Sequence, residues 1–596
     1  MKDSTRSKRW ARVLTGIAAA TFLPAALLTA SSSATSSPMV PVPSAAQSAE
    51  AANANALTPP SNLANVPALP GPLAAKFTLG SSLGVLTTSG SGPQSGVSGS
   101  GTEGQPFTIS GSGLAANATV AIDWSTASET WVTDVEPSTV NYLGTAAANF
   151  NVTLATVTTN ASGAFSYQTT VPVDYGGPHT IYAVVNGVEV AQGGFTMLRT
   201  LTVTPTSGPI GTPITVTVTG LGATAYTTGM ALDWDNHFTG ELQAVWTRGT
   251  ASFEIRAAGP VGQHTIEVGA AVGTLYMNSD QSPVPFANIL TTTFTTTKDD
   301  GPTAAQIDFP DNVTPTVSEV TTLATANLDP SSTAVASLSQ SSGTVGSKVA
   351  LNVTGLSGSG TDQLVWSSVV GSRVNCPNGS TSCWSFTSTP LGSASITNGD
   401  LTSQITIPVT TEGLPGAGLG GWHEIQVMNG TSIEAQVPYY VKESIVAYTN
   451  SSGKVLSMGT ATAAPIPSGI TTPTLTEVAG VGHPTDVFKE GQEFTIAIAG
   501  VGWTQLDNTL AVDYDNSFVG YGCGFNSNGY MVVHLFATGS PGTHIIDMYP
   551  ELYTLNPDYS TTAYGMLPVL TYARDFPGLA LGYQVPAIRF AITVVK

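Results

Sequence analysis

The pattern Gly-x-His-x-Ile occurs four times in this chain and holds four of its seven histidines. The copies run from Gly177 to Ile181, Gly262 to Ile266, Gly421 to Ile425 and Gly542 to Ile546. Each sits at the same point of a longer arrangement: an alternating apolar run, a Gly/Pro turn, then a second alternating strand. A residue recurring once per unit marks an internal repeat, and repeats decide architecture before other features do. The 596 residues carry 9% charged side chains, against about 25% in ordinary soluble domains, with 63 Gly and 39 Pro spread throughout. Long Glu/Lys/Leu-rich helical stretches are not visible. The expectation is an all-β chain built as a tandem array of four β-sandwich modules.

The modules align as two kinds in alternation. The first kind opens at Phe107 and Val349, reaches Trp124 and Trp366, makes a long excursion (125–160 and 367–400), then enters its histidine strand at His179 and His423. The second kind is more alike between copies: Ala231 to Gly240 (ALDWDNHFTG) matches Ala511 to Gly520 (AVDYDNSFVG). Each of these follows a strand ending in glycine, Gly220 or Gly500, and precedes a histidine strand, His264 or His544. About 100 residues per unit, with turn signals every 8–12 residues, is the sandwich expectation. The division is therefore 1–34 leader, 35–75 disordered linker, 76–199 module 1, 200–297 module 2, 298–335 linker, 336–443 module 3, 444–485 linker, and 486–596 module 4 with an aromatic-rich extension.

The opening of module 2, Pro205 to Gly220 (PTSGPIGTPITVTVTG), a strand reaching Asp-Trp, and the closing Gly-x-His-x-Ile strand resemble bacterial secreted immunoglobulin-like repeats of the IPT/TIG or E-set sort. The resemblance covers roughly residues 100–297 and 338–596, and the two excursions depart from it. It implies immunoglobulin-like sandwiches that act as spacers, adhesive units or scaffolds, with no shared catalytic residues.

Lys2, Arg6, Lys8, Arg9 and Arg12 precede an apolar run from Val13 to Ala30, then small-residue sites such as Ser32-Ser33-Ala34. This is the pattern of a secretory signal, so a secreted or surface-associated protein is expected, with no membrane span after cleavage. The formal charge is −20, and removing the basic leader leaves a still more acidic chain. Nucleic acid is thereby disfavoured as a partner, because it is bound through basic patches. Of three cysteines, Cys376 and Cys383 bracket a turn-rich hexapeptide and suit a small disulfide loop in an oxidising compartment. Cys523 is left over.

Two constellations invite chemistry. His179, His264, His423 and His544 would serve as metal ligands or pH switches, or as structural corners in which an imidazole N–H ties the strand to the preceding turn. The corner is the preferred reading, since a ligand role would need carboxylates or further histidines nearby and the pattern is expected to bring none. Asp233, Asp235 and Asn236, matched by Asp513, Asp515 and Asn516, offer hard oxygen ligands for part of a calcium shell; the competing reading is a strand end running into an Asp-Asn turn. No other cofactor is implied. The single Gly-x-Ser-x-Gly string, Gly80 to Gly84, lies in a Gly/Ser tract without a following helix and is no nucleophile elbow. The function expected is a non-enzymatic cell-surface or extracellular scaffold or adhesion protein whose partners are other surface proteins or itself. The alternative is a binder of cell-wall or extracellular glycans that uses loop aromatics or the tail aromatics Tyr549, Tyr553, Tyr559, Tyr564, Tyr572, Phe576 and Tyr583.

Overall fold

In the strand Pro213–Thr219 every second residue is apolar, and a two-residue period puts Ile214, Val216 and Val218 on one face, where all three are buried. Lys348–Thr354 repeats this with Val349, Leu351 and Val353, and Pro106–Ser112 with Phe107 and Ile109. A strand with one apolar face needs a second sheet to cover it, and that requirement builds the sandwiches.

The computed structural model describes residues 55–60, 76–81, 84–89, 99–136, 139–222, 230–272, 274–275, 277, 289–310, 328–371, 384–409, 418–446, 487–504, 506–524, 529–552 and 567–596. The leader and the Cys376/Cys383 loop lie outside them, as do Tyr553, Tyr559 and Tyr564. Strands dominate, and the sole helical segment among the described residues is a short 3-10 turn, Pro577–Leu581.

All four modules share one topology. A three-stranded sheet comes first: Val85–Ser89, Pro106–Ser112 and Phe165–Thr170 in module 1; Thr200–Thr204, Pro213–Thr219 and Ala251–Arg256 in module 2; Val335–Leu338, Lys348–Thr354 and Leu401–Thr406 in module 3; Ser444–Ile445, Glu493–Ala499 and Tyr530–Phe536 in module 4. The facing sheet is centred on the histidine strand, Gly177–Val185, Gly262–Val272, Gly421–Asn429 or Gly542–Leu552. One neighbour of that strand is the module's last strand, which carries a short parallel edge segment (Gly99–Thr102, Ser207–Gly208, Ser342–Thr344, Val487–Lys489). The other neighbour leads into an antiparallel hairpin. A register shift falls at the same place in each hairpin, after Ile122, Leu232, Leu364 and Val512. This is a tandem array of immunoglobulin-like sandwiches.

The two kinds differ in that hairpin. In the second kind it is short, Met230–Trp234 with His237–Leu242 and Thr509–Tyr514 with Ser517–Cys523. In the first kind the excursions are not loops but extensions of the hairpin, Thr119–Glu136 with Thr139–Thr158 and Gly360–Gly371 with Trp384–Ile396.

Three stretches expected as linkers contribute strands. Within 35–75, Asn55–Ala56 pairs with Val132 and Thr133 of the long hairpin. Within 298–335, Gln306–Asp308 joins the last strand of module 4, Ala587–Val595, and Val335 already belongs to module 3. Within 444–485, Ser444–Ile445 is the first strand of module 4. Their Pro/Ser/Thr composition lacks apolar periodicity because edge segments of two or three residues need only main-chain pairing. Residues 51–596 form one compact unit by their contacts.

Candidate functional site

Each histidine follows its Gly/Pro turn, and its Nε2 lies against the backbone carbonyl four residues earlier: Tyr175 at 2.7 Å, Pro260 at 2.8 Å, Leu419 at 2.8 Å and Ser540 at 2.8 Å. The ring packs on the aromatic of the neighbouring strand, with centroids 4.2 Å apart for Trp124–His179, 5.1 Å for Trp234–His264, 4.4 Å for Trp366–His423 and 5.5 Å for Tyr514–His544. One nitrogen is thus committed to the backbone in every copy. Nδ1 separates the two kinds. In the first kind it meets main-chain or hydroxyl oxygen, Ser125 O at 2.7 Å for His179 and Ser368 Oγ at 3.1 Å for His423. Burial pulls the pKa of His423 down to about 4, so its neutral ring donates from Nε2 to Leu419 and accepts at Nδ1 from the Ser368 hydroxyl.

In the second kind Nδ1 meets an aspartate: Asp235 at 2.6 Å from His264 and Asp515 at 2.5 Å from His544. The other oxygen of each aspartate accepts the next main-chain N–H, from Thr265 and Ile545. A carboxylate therefore does recur with the histidine, contrary to the sequence reading. The signal was present as a constant separation of 29 residues in both copies. For His544 burial acts to lower the pKa, but the Asp515 hydrogen bond and charge, the Ser540 carbonyl and Asp299 outweigh it, and the net shift is upward. The Asp-His pair has no nucleophile to activate, because the far nitrogen is held by a backbone carbonyl.

This arrangement disperses the calcium constellation. Asp235, Asn236, Asp515 and Asn516 form hairpin turns with positive φ (51°, 65°, 52° and 59°), and the two aspartates spend their oxygens on histidine and backbone. Asn516 donates to the carbonyl of Arg256 in module 2 at 2.8 Å. Asp233 and Asp513 are buried two residues earlier, across the ladder from Glu267 and Asp547. Neither Asp513 oxygen has a hydrogen-bond partner among the described residues, and burial, with Asp547 adding to it, drives its pKa well above the ordinary range. Among the described residues no three His, Cys, Asp or Glu gather as a metal-holding group.

The glycines that close the strands before the second-kind hairpins make the module junctions. Gly176 N–H donates to Leu221 O at 2.7 Å, and a Cβ on Gly176 would lie 1.7 Å from Gly220 O. In the other pair Gly420 N–H donates to Val501 O at 2.9 Å, and its Cβ would lie 1.8 Å from Gly500 O. Leu221 and Val501 in turn donate to Gly249 and Gly529. One junction is thus built twice, between modules 1 and 2 and between modules 3 and 4.

Beyond the junctions, all four modules meet in a single apolar hub. It contains Trp131 and Tyr142 from the long hairpin of module 1, Trp246 from module 2, Trp422 and Tyr440 from module 3, and Trp503, Phe576 and Tyr583 from module 4. At its centre the buried carboxyl of Asp575 accepts from Trp131 Nε1 at 2.7 Å and from the main-chain N–H of Trp246 at 3.3 Å. Burial pushes this carboxyl up to about 7. Modules 2 and 4 also share an ionic seam, in which Asp547 bridges Arg256 at 2.5 Å and Arg589 at 3.2 Å. Tyr549, Tyr572, Phe576 and Tyr583, proposed from sequence as glycan platforms, are buried in these seams. The hub residues are not repeated between copies; Trp422 lies within a Gly-x-His-x-Ile copy but at its variable second position.

No family model matches the chain, and no curated protein matches it. Among solved structures, a mutant alpha-2-macroglobulin of Salmonella aligns at 8% identity with a TM-score of 0.15, covering 83% of this chain and 30% of that one. Escherichia coli alpha-2-macroglobulin activated by porcine elastase aligns at 10% identity and TM-score 0.14, covering 86% and 44%. A beta-glycosidase from Bacteroides vulgatus aligns at 10% identity and TM-score 0.13, covering 36% and 25%. The chain spans less than half the length of each, and superpositions this loose carry no functional argument.

Proposed function

We propose that the chain is an exported, non-enzymatic scaffold of a cell surface or extracellular matrix, made of immunoglobulin-like modules of the IPT/TIG kind. The observation that carries this reading is the use made of the reactive side chains. The four histidines, the two Asp-Asn turns and the Asp575 carboxyl are all spent on joining strand to turn or module to module. A chain that invests its polar groups in seams gains fixed shape, and loops at the outer ends of fixed modules offer contact surfaces. The basic-apolar leader supports export, and among the described residues no helix is long and apolar enough to cross a membrane.

Fractionation of the native cells with electron microscopy of the purified chain is the test. Recovery in the envelope or medium, with assembly into sheets or fibres, is expected. Recovery with the cytosol would end the proposal. Binding on a glycan array without self-assembly would favour the carbohydrate reading, through loop aromatics or tail aromatics other than Tyr549, Tyr572, Phe576 and Tyr583.

A further inference from the structure

Modules 2 and 4 carry the same edge strand in different conditions. In module 2 the edge strand His237–Leu242 is completed by a segment of the module 4 extension. Leu570 N–H donates to Glu241 O at 2.9 Å, Val569 bridges Glu241 in parallel, and the Gln243 N–H reaches Thr571 Oγ at 3.2 Å. Leu570 lies over Gly240, where a Cβ would meet its Cγ at 2.8 Å, and it enters the core of module 2. The segment, Pro568-Val569-Leu570-Thr571, is uncharged; it is extended as far as Val569 and enters a turn at Leu570.

The matching strand of module 4, Ser517–Cys523, has no further strand hydrogen-bonded to its outer edge among the described residues, although its start meets the module 2 edge strand at Phe238. Gly520 stands where Gly240 does, and nothing lies within 4 Å of a Cβ built on it. Val519 and Tyr521 are 54% and 52% exposed. The facing sheet is open on the same flank. Phe253 and Ile255 are buried in module 2, whereas their counterparts Val533 and Leu535 are half-buried and Phe536 is 57% exposed. A cavity follows this flank between Tyr514, Val519, Leu535 and Phe536. An uncharged, proline-free edge of this kind is a ready template for strand addition, and native proteins usually blunt such edges.

We infer that the Ser517–Cys523 edge of module 4 is an acceptor for an extended, uncharged segment of another polypeptide, laid parallel to it with a leucine-sized side chain over Gly520. A main-chain bond to Tyr521 O and a side-chain hydroxyl accepting from the Cys523 N–H, as Thr571 accepts from Gln243 in module 2, would supply affinity, and the Gly520 bed selectivity. Module 2 shows that this strand type accepts such a segment. The inference does not depend on the scaffold reading, because it requires no self-assembly.

The probe is a fluorescein-labelled synthetic peptide with the sequence Leu567 to Ala573, titrated into the full chain and read by anisotropy. Saturable binding is expected. It should weaken about tenfold or more with a Leu570→Asp peptide, with Gly520→Val in the chain, and with Tyr521→Lys, which charges the edge. Tyr521→Lys should leave the melting temperature unchanged, which keeps the test valid if Gly520→Val folds poorly. Absence of saturable binding would overturn the inference, as would equal binding by the Tyr521→Lys chain. Sedimentation showing dimers that Tyr521→Lys dissolves would also overturn it, by making a second copy the occupant.

Discussion

The junction between modules 1 and 2 and the one between modules 3 and 4 are the same object made twice, while the contact between modules 2 and 4 is made once. In both junctions a glycine N–H donates to the residue after the closing glycine of the next module, at a separation that excludes any Cβ. The 2–4 contact brings equivalent residues together, with Phe238 on Phe518 at 6.2 Å, and then departs from symmetry. Among the described residues, only module 4 supplies an extension that fills its partner's edge, and only module 2 supplies an arginine that its partner's Asp547 binds. Duplication explains the repeated junctions. What fixes the four modules as one body is the part that duplication did not copy.

The comparison breaks most visibly at the hub. Trp131→Ala removes a buried indole and its bond to Asp575, and a loss of about 3–5 kcal/mol is expected in chemical denaturation. The repeated junctions should respond less and alike. Gly176→Ala and Gly420→Ala each force a methyl onto a backbone oxygen, and each should cost about 1–3 kcal/mol. The two losses should add in the double variant, because the sites share no partner. A Gly420→Ala melt indistinguishable from the unaltered chain would show that the second junction is not like the first.

His423 and His544 should titrate in opposite senses. His423 has a folded pKa below its usual 6.5, at about 4, so its contribution is present above pH 6.5 and is lost as pH falls towards 4. His544 is raised above 6.5, so its contribution is full below pH 6.5 and is lost as pH rises through the folded value. Replacing Asp515 with Asn should remove that second dependence and cost about 1 kcal/mol at pH 6. Ring-proton NMR of the two histidines checks both signs; a matched pair of titrations would refute the division into kinds. Asp575→Asn at pH 5 keeps an acceptor for Trp131 Nε1 but turns an amide NH2 onto the Trp246 N–H, and should cost about 1 kcal/mol. As pH rises from the ordinary carboxyl value of 3.8 to about 7 the unaltered chain should lose stability relative to this variant and then level off, since a raised carboxyl holds its proton more tightly when folded.

Much of the fold was legible because strands announce themselves locally. Alternation in Pro213–Thr219 and the recurring Gly-x-His-x-Ile fix strand, face and module count without long-range information. The aspartate partners of His264 and His544 were legible too, through a separation repeated in both copies, but Asp-x-Asp-Asn by itself suggests hard donors or an Asp-Asn turn and does not point to the histidine. The hub was not legible. Trp131, Trp246 and Asp575 lie in segments that differ between copies, and nothing local states that they meet. The edge segments Asn55–Ala56 and Gln306–Asp308 stayed hidden for a related reason: two or three residues paired through the main chain leave no side-chain pattern.

That the modules form one body is tested most directly by small-angle X-ray scattering of the purified chain. The hub and seams predict a radius of gyration of roughly 25 Å, the value for a single compact body of this length. Modules strung through loose linkers would give about 40 Å or more, and that result would contradict the account.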